Sequence, residues 1–450
     1  MKKSLKKDSK EKNNKFSNTE IISLIVGGIQ NNKNLKKKKV NNFCIKICII
    51  IILTIISIIL IFYYLLINIK FSQIKKSNSS ENLALNNKSM TNEKFENISE
   101  NNIMTDKINN NTLNNLNDVK PRQKRIGVVW VDCDQNPGNN LIKYAMSTKL
   151  KEYGFYPIII GRKKQFNRID FLLGKVNLKI VKFSFSELNR EDYDMLMINS
   201  DLCWTYSERK YFYDNAFLQF AENWKIPKFI YAASMGTTNW FYTQKDEEVA
   251  KRLLRNFRGI SFREIGTAKM AAEHLKINYT FVLDPTFLLD KQYYLDLIKN
   301  YQRDFDFTKK YLMVYQLDEN QAIKRYIKES IEKFNFTIYR VSHQDQYYVE
   351  NFLFAMNISQ AVITDSFHGT VFSIIFNKPF ISFTNYLRGA ERFISLNQTF
   401  NLNNRIIDLK KNGVNLNLLV EPLIINETRL NELKNISLDF LETNLGMKKT

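Results

Sequence analysis

Cysteine and histidine are scarce in this 450-residue chain, with four of the first and three of the second. Cys44 and Cys48 sit in or beside one long apolar stretch, which leaves Cys133 and Cys203 for the remainder. Two residues make no disulfide framework; a single Cys133–Cys203 bridge and a pair of buried free thiols both stay open. No Walker loop, GxGxxG, HExxH, CxxC or GxSxG pattern occurs. The usual sequence marks of P-loop, dinucleotide, zinc and serine-nucleophile sites are therefore missing, and no cofactor and no metal are expected.

A nucleic-acid partner is also excluded, despite a formal net charge of +21. Residues 1–120 hold 20 Lys against 9 acids, so 20 − 9 = +11 lies there and 21 − 11 = +10 is left for the rest. The remaining lysines are scattered, with no basic stripe interleaved with aromatics and no zinc-finger spacing. A modest positive field around an anionic substrate fits this pattern better.

What the N-terminal region has is one uninterrupted apolar run, FCIKICIIIILTIISIILIFYYLLINI, over residues 43–69, with Lys46 its only charge. Its length suffices for the hydrocarbon thickness of a bilayer and exceeds that of a buried core helix or a signal-peptide core. The first 39 residues carry 12 Lys against Asp8, Glu11 and Glu20, ending in Lys36–Lys39. Positive flanks stay cytosolic, so the expectation is a basic tail (1–42), a type II signal-anchor (43–69) and everything later in a lumen, Golgi being the expected address. Residues 70–122 form an expected disordered stem, rich in Asn, Ser, Lys and Glu, with N-x-Ser/Thr sequons at Asn78, Asn87, Asn97 and Asn110.

From Arg125 onward, short apolar runs alternate with helical patterns, which predicts an α/β fold. The expected strands are Ile126–Asp132, Pro157–Gly161, Asp194–Ser200, Lys228–Ser234, Gly259–Glu264, Lys310–Leu317, Phe336–Ser342, Ala361–Ser366 and Pro379–Thr384, with a helix over Asn140–Gly154. The length favours two Rossmann-like lobes, 123–290 and 305–450, the second including the closing helices.

Parallel sheets bind ligands beyond the carboxyl ends of their strands, so the residues that follow each strand are the first candidates for chemistry. DCDQNPGNN (Asp132–Asn140) leads into a helix whose N-terminus suits an anion, with Asn136, Asn139 and Gly138 as its candidates, although a plain capped turn reads equally well. Arg263 ends an apolar strand, where its guanidinium suits a carboxylate or phosphate, or else pairs with Glu264 or Asp284. In ITDSFHGTVFSIIFNKPF (Ile363–Phe380), Asp365 and Ser366 end a strand, His368 and Gly369 lie in the turn, and an apolar helix follows. His368 and Ser366 thereby become the catalytic candidates, while His274 and His343 have no such setting. Arg388 and Arg392 follow on the next loop and helix and, with Arg263, suit a doubly charged anion.

Taken together, NPGNNLIKYAMSTKLKEYGF, YDMLMINSDLCW, KFIYAASMG, GISFREIGTAKMAAEHL, VLDPTFLL, DSFHGT and RGAERFISL resemble the polysaccharide pyruvyl transferase family over nearly all of residues 125–410. The resemblance implies a fold like the GT-B glycosyltransferases, with the site between the lobes. It implies phosphoenolpyruvate as donor substrate, a glycan acceptor and a cyclic pyruvate ketal as product. On that reading His368 is the acid, Ser366 orients it or binds phosphate, and Arg263, Arg392, Arg388, Gly369 and Thr370 hold the donor. Asn136, Asn139, Asp201, Trp204 and Asp284 line the acceptor side or the cleft. One departure stands out: Asn199-Ser200-Asp201-Leu202-Cys203-Trp204 replaces the expected G-S-D-Q-x-W, with Asn199 for Gly and Leu202 for Gln. Two rivals share the residues, a GT-B enzyme using a nucleotide-sugar and a non-catalytic glycan-binding relative.

Overall fold

A computed structural model of the chain describes residues 122–130, 136–162, 179–183, 185–205, 211–342, 347–402, 404–410 and 413–448. The expected tail (1–42), anchor (43–69) and all of the expected stem (70–122) but its last residue, together with Cys133 and His343, lie outside the described residues. Among the described residues no helix is long and apolar enough to cross a membrane.

The first lobe is a seven-stranded parallel sheet in the order β3-β2-β1-β4-β5-β6-β7. Its strands are β1 (Arg125–Val129), β2 (Tyr156–Arg162), β3 (Lys179–Phe183), β4 (Met195–Asn199), β5 (Lys228–Ala233), β6 (Gly259–Phe262) and β7 (Thr280–Phe281). The runs MLMIN and KFIYAA are buried at every position, because helices cover both faces and leave no solvent side on which polar residues could alternate. The second lobe is a five-stranded parallel sheet, β12-β11-β10-β8-β9. It is built from β8 (Tyr311–Tyr315), β9 (Thr337–Arg340), β10 (Ala361–Thr364), β11 (Phe380–Phe383) and β12 (Ile406–Ile407). All nine strands expected from the sequence are present. The three it misses, β3, β7 and β12, lie at sheet edges, and the last two are only two residues long, too short to show periodicity.

The helices are α1 (Pro137–Glu152), α2 (Phe212–Phe217), α3 (Gln244–Leu254) and α4 (Ile265–Leu275), then α5 (Lys291–Leu297) between the lobes, then α6 (Gln321–Phe334), α7 (Tyr348–Ile358), α8 (Phe367–Ile375), α9 (Glu391–Phe400) and α10 (Glu427–Asn444). Helix α1 starts three residues earlier than the apolar spacing indicates. Asn136 caps it through Gly138 N–H (2.8 Å) and Pro137 stands at the first helical position, where its missing N–H costs nothing. One hydrophobic cluster joins the lobes, with Leu141, Tyr144 and Ala145 of α1 packing among Tyr348, Phe352, Phe367 and Phe372.

Helix α10 corrects the expected boundary of 305–450. It returns to the first lobe, where Phe440, Leu441 and Leu445 pack among Val128, Met197, Phe229 and Tyr231 of strands and loops there, and Ser437 Oγ accepts a hydrogen bond from Leu283 N–H at 2.9 Å. The first sheet supplies the apolar face this helix needs. Phe440→Ala should therefore destabilise the first lobe by about 3–5 kcal/mol in urea unfolding, and a loss below about 0.5 kcal/mol, the size of an ordinary surface change, would show that the helix is not part of that core.

Candidate active site

Each sheet reverses its strand order once, between β1 and β4 in the first lobe and between β8 and β10 in the second. Open α/β sheets bind ligands just beyond the strand ends at such points. Past β1 comes Gly138 in the first turn of α1, past β4 comes Asp201, and past β10 come Ser366, the cap of α8, and His368 in its first turn. The lobes bring these ends together. A Cβ added to Gly138 would overlap the imidazole of His368, so the missing side chain is what lets the second lobe approach α1.

The centre of the site is Arg263, just past β6, with its side chain 1% exposed. Its Nη2 donates to Asp201 Oδ1 at 2.9 Å and to Ser234 Oγ at 3.4 Å, and its Nη1 donates to Asp284 Oδ2. Asp284 is held in turn by the N–H and hydroxyl of Thr286 at 3.0 and 2.6 Å. Arg392 Nη1 lies 3.6 Å from the same Asp201 oxygen. The Phe367 ring lies beside both guanidiniums, 4.8 Å from Arg263 Cζ and 5.2 Å from Arg392 Cζ, a cation–π arrangement that compensates two like charges drawn close together.

Burial would raise the Asp284 carboxyl, but Arg263 and His368 hold it well below the usual carboxylate range. Asp201 behaves likewise, burial being outweighed by Arg263, Arg392 and His368. Burial pulls Arg392 down from the ordinary arginine value, with Asp201 opposing it. Two buried cations facing two buried anions leave this centre poised to accept added negative charge only if a carboxylate is displaced or shared.

His368 enters from the second lobe. Its Nε2 lies 3.8 Å from Asp284 Oδ2 and has no hydrogen-bond partner within the protein. The Nε atoms of Arg263 and Arg392 and the hydroxyl of Ser200 are similarly buried without partners. Buried polar atoms of this kind can be satisfied by a bound ligand or by water. His368 and Gly369 belong to the first turn of α8 rather than to the preceding turn, because Ser366 is the cap, accepting from Gly369 N–H at 3.3 Å.

Three candidates turn out to hold the fold. Gly369 packs against the Thr364 hydroxyl with no room for a Cβ. Thr370 Oγ1 is engaged by Ser366 O at 3.0 Å and Ser382 Oγ at 2.6 Å, tying α8 to β11. Trp204 is fully buried, edge-on to Phe217 and Phe262 at 5.2 and 5.0 Å. Arg388 is on the rim instead, paired through Nε and Nη2 with Asp318 at 2.6 and 3.0 Å. Asn136 reaches the second lobe, its Oδ1 accepting from Tyr315 OH at 3.4 Å, and Asn139 is buried in the first turn of α1. Asn199 is an ordinary strand residue, and the left-handed conformation falls on Ser200 and Asp201 (φ 40° and 58°). The missing glycine is therefore not needed for backbone freedom, and the strain sits on the residue that meets Arg263. Cys203 is a free buried thiol, pushed by burial up to about 12.

Sequence reasoning missed Glu264, Ser234 and Phe367. The fully buried Glu264 accepts from Ser234 Oγ, Gly236 N–H (2.8 Å) and Thr267 Oγ1 (2.5 Å), and so shapes the loop after β5. Its place beside Arg263 hid it as a simple ion-pair partner. Phe367 read as one more apolar residue at a helix start.

These features define a two-lobed parallel α/β protein with a buried arginine, carboxylate and imidazole centre where its sheets meet. The family model for polysaccharide pyruvyl transferase matches residues 136–386, more than half of the chain, and the chain belongs to that family. No curated protein matches it. Among solved structures, the UDP-GlcNAc 2-epimerase from Methanocaldococcus jannaschii aligns with a TM-score of 0.46 at 12% identity, covering 71% of this chain and 99% of that one. The UDP-GlcNAc 2-epimerase from Neisseria meningitidis gives 0.45 at 13%, covering 72% and 100%, and a glycosyltransferase from Rickettsia africae gives 0.43 at 12%, covering 73% and 100%.

Removing Arg263 strands two buried carboxylates, so Arg263→Met should cost about 3–5 kcal/mol in urea unfolding; an unchanged midpoint would mean the pair carries no such weight. Asp201 and Asp284 titrate lower in the folded than in the unfolded chain. Their contribution is thus fully present above the ordinary carboxylate range, about pH 4, and is lost as pH falls below it through the folded values. Asp284→Asn should be weaker at pH 7 yet lose less of its remaining stability between pH 5 and pH 3 than the natural protein does.

Proposed function

We propose that this protein transfers the pyruvyl group of phosphoenolpyruvate to a glycan as a cyclic ketal. The observation that carries the reading is the pair of buried guanidiniums, Arg263 and Arg392, beside an imidazole with an unpartnered Nε2. Phosphoenolpyruvate presents a carboxylate and a phosphate, the two groups a planar guanidinium fork binds best. Two hydroxyls of one sugar add to the enol carbon, the methylene carbon takes one of their protons, and the C–O bond to phosphate breaks as the phosphate takes the other. Glycan diol and phosphoenolpyruvate thus become ketal and inorganic phosphate, with charge and protons balanced.

In this scheme His368 delivers the proton to the methylene carbon and recovers one from an attacking hydroxyl. Asp284, on the opposite lobe, orients the imidazole once the lobes are closed. Ser366, as the cap of α8, sets where His368 begins. We further propose that the chain is a type II membrane protein with this domain in a Golgi or other secretory lumen, a reading supported by the apolar run at 43–69 and the twelve lysines before it. A luminal site implies import of the donor from the cytosol.

His368→Ala should lower pyruvyl transfer by about 10²–10⁴-fold, the range for loss of a general acid. Phosphate release from phosphoenolpyruvate in the presence of acceptor, with mass spectrometry of the glycan, measures it. Near-normal transfer by the variant would remove His368 from the mechanism.

A further inference from the structure

Beside the charged centre lies a cavity of about 640 Å³ that none of the residues expected at the acceptor side lines. The first lobe contributes Leu202, Thr238 and Asn239 to it and the second contributes Tyr386, Leu387 and Arg388. Its volume falls in the range of small-molecule sites, roughly 300–1,000 Å³. We infer that this cavity is the acceptor subsite and takes a neutral sugar unit at the end of a glycan. The inference rests on the pyruvyl-transfer reading above and adds to it where the sugar sits.

Charge decides what the cavity accepts. Its two ionised side chains are already committed: Arg388 makes a two-point pair with Asp318, and Glu391 Oε1 accepts from Gly266 N–H at 2.8 Å. Phosphate and carboxylate therefore find no uncommitted cation among the lining residues, and the nearby Lys410 ammonium lies on the Tyr386 ring, 4.3 Å from its centroid. What the cavity offers instead is apolar surface from both lobes with small hydrogen-bonding groups among it. Tyr386 is about half exposed and Leu387 almost wholly so (48% and 88%). The Tyr386 hydroxyl donates to Asp408 at 2.7 Å, which holds the ring in one orientation. Thr238 and Asn239 line the same cavity as exposed polar residues. A neutral sugar combines a face of C–H groups with an edge of hydroxyls, and a fixed aromatic ring with polar residues in the same cavity matches that combination.

Position supports the same occupant. The cavity is lined by Gly236 and Gly389, whose backbones touch so closely that a Cβ on either would lie 2.9 Å from the other's Cα. Both have positive φ, 71° and 100°. Behind Gly389, Arg392 donates to the carbonyl of Arg388, and Leu202 follows Asp201 directly in the chain. The cavity therefore borders the charged centre at these two glycines, where the Leu202 side chain packs against Gly236 and the Arg392 side chain against Gly389.

The test uses the full-length protein with Tyr386→Ala and Asn239→Ala, both exposed positions. Saturation-transfer NMR with methyl glycosides of glucose, galactose, mannose and N-acetylglucosamine reads sugar binding without turnover. At least one glycoside should bind the natural protein and lose binding about tenfold in Tyr386→Ala. In the transfer assay both variants should raise the acceptor KM by about tenfold and leave the phosphoenolpyruvate KM within about twofold. No glycoside binding to the natural protein, equal binding by Tyr386→Ala, or a rise confined to the phosphoenolpyruvate KM would overturn the assignment. Tyr386-dependent glycoside binding without any pyruvyl transfer would support the cavity and count against the reaction instead.

Discussion

Arg263 is a cation almost completely removed from water, and the site is organised around keeping it neutralised. Its partners come from two different loops of the first lobe, Asp201 after β4 and Asp284 after β7, and Asp201 also faces Arg392 from the second lobe. None of these charges is tolerable alone in such surroundings. The two lobes therefore share one electrostatic unit, and the apolar contact of α1 with α7 and α8 closes around it.

The closure depends on small residues. Gly138 admits His368, Gly236 and Gly389 admit each other, and Gly266 admits the Glu391 carboxylate. Glycine at such points lets backbone approach backbone or side chain where any Cβ would hold the lobes apart. Helix α9 completes the join, with Glu391 and Ser395 capping the first N–H groups of α4 across the lobe boundary. The same helix carries Arg392. Docking of the lobes and assembly of the charged centre are consequently one event.

A division of labour follows. The closed centre holds two guanidiniums that an anion could reach by displacing or sharing a carboxylate, whereas the neighbouring cavity offers one arginine already paired with Asp318. The left-handed turn at Ser200 and Asp201 runs directly into Leu202, which packs against Gly236 and lines the cavity.

The alternation of apolar runs with helical spacing was enough to determine nine of the strands and the two-lobed parallel architecture, because buried strands and amphipathic helices each leave a local period. DSFHGT and the arginine after β6 were likewise legible, since chemistry in such sheets gathers at strand ends. The return of α10 to the first sheet was not, because nothing in a helix records which apolar face it will meet. Nor were the pairing of Arg263 with Asp201, the withdrawal of Arg388 to Asp318, the structural duties of Gly369, Thr370 and Trp204, or the place of Phe367 beside two guanidiniums. These depend on distances between residues far apart in the chain, and only the packing of the two lobes sets those distances.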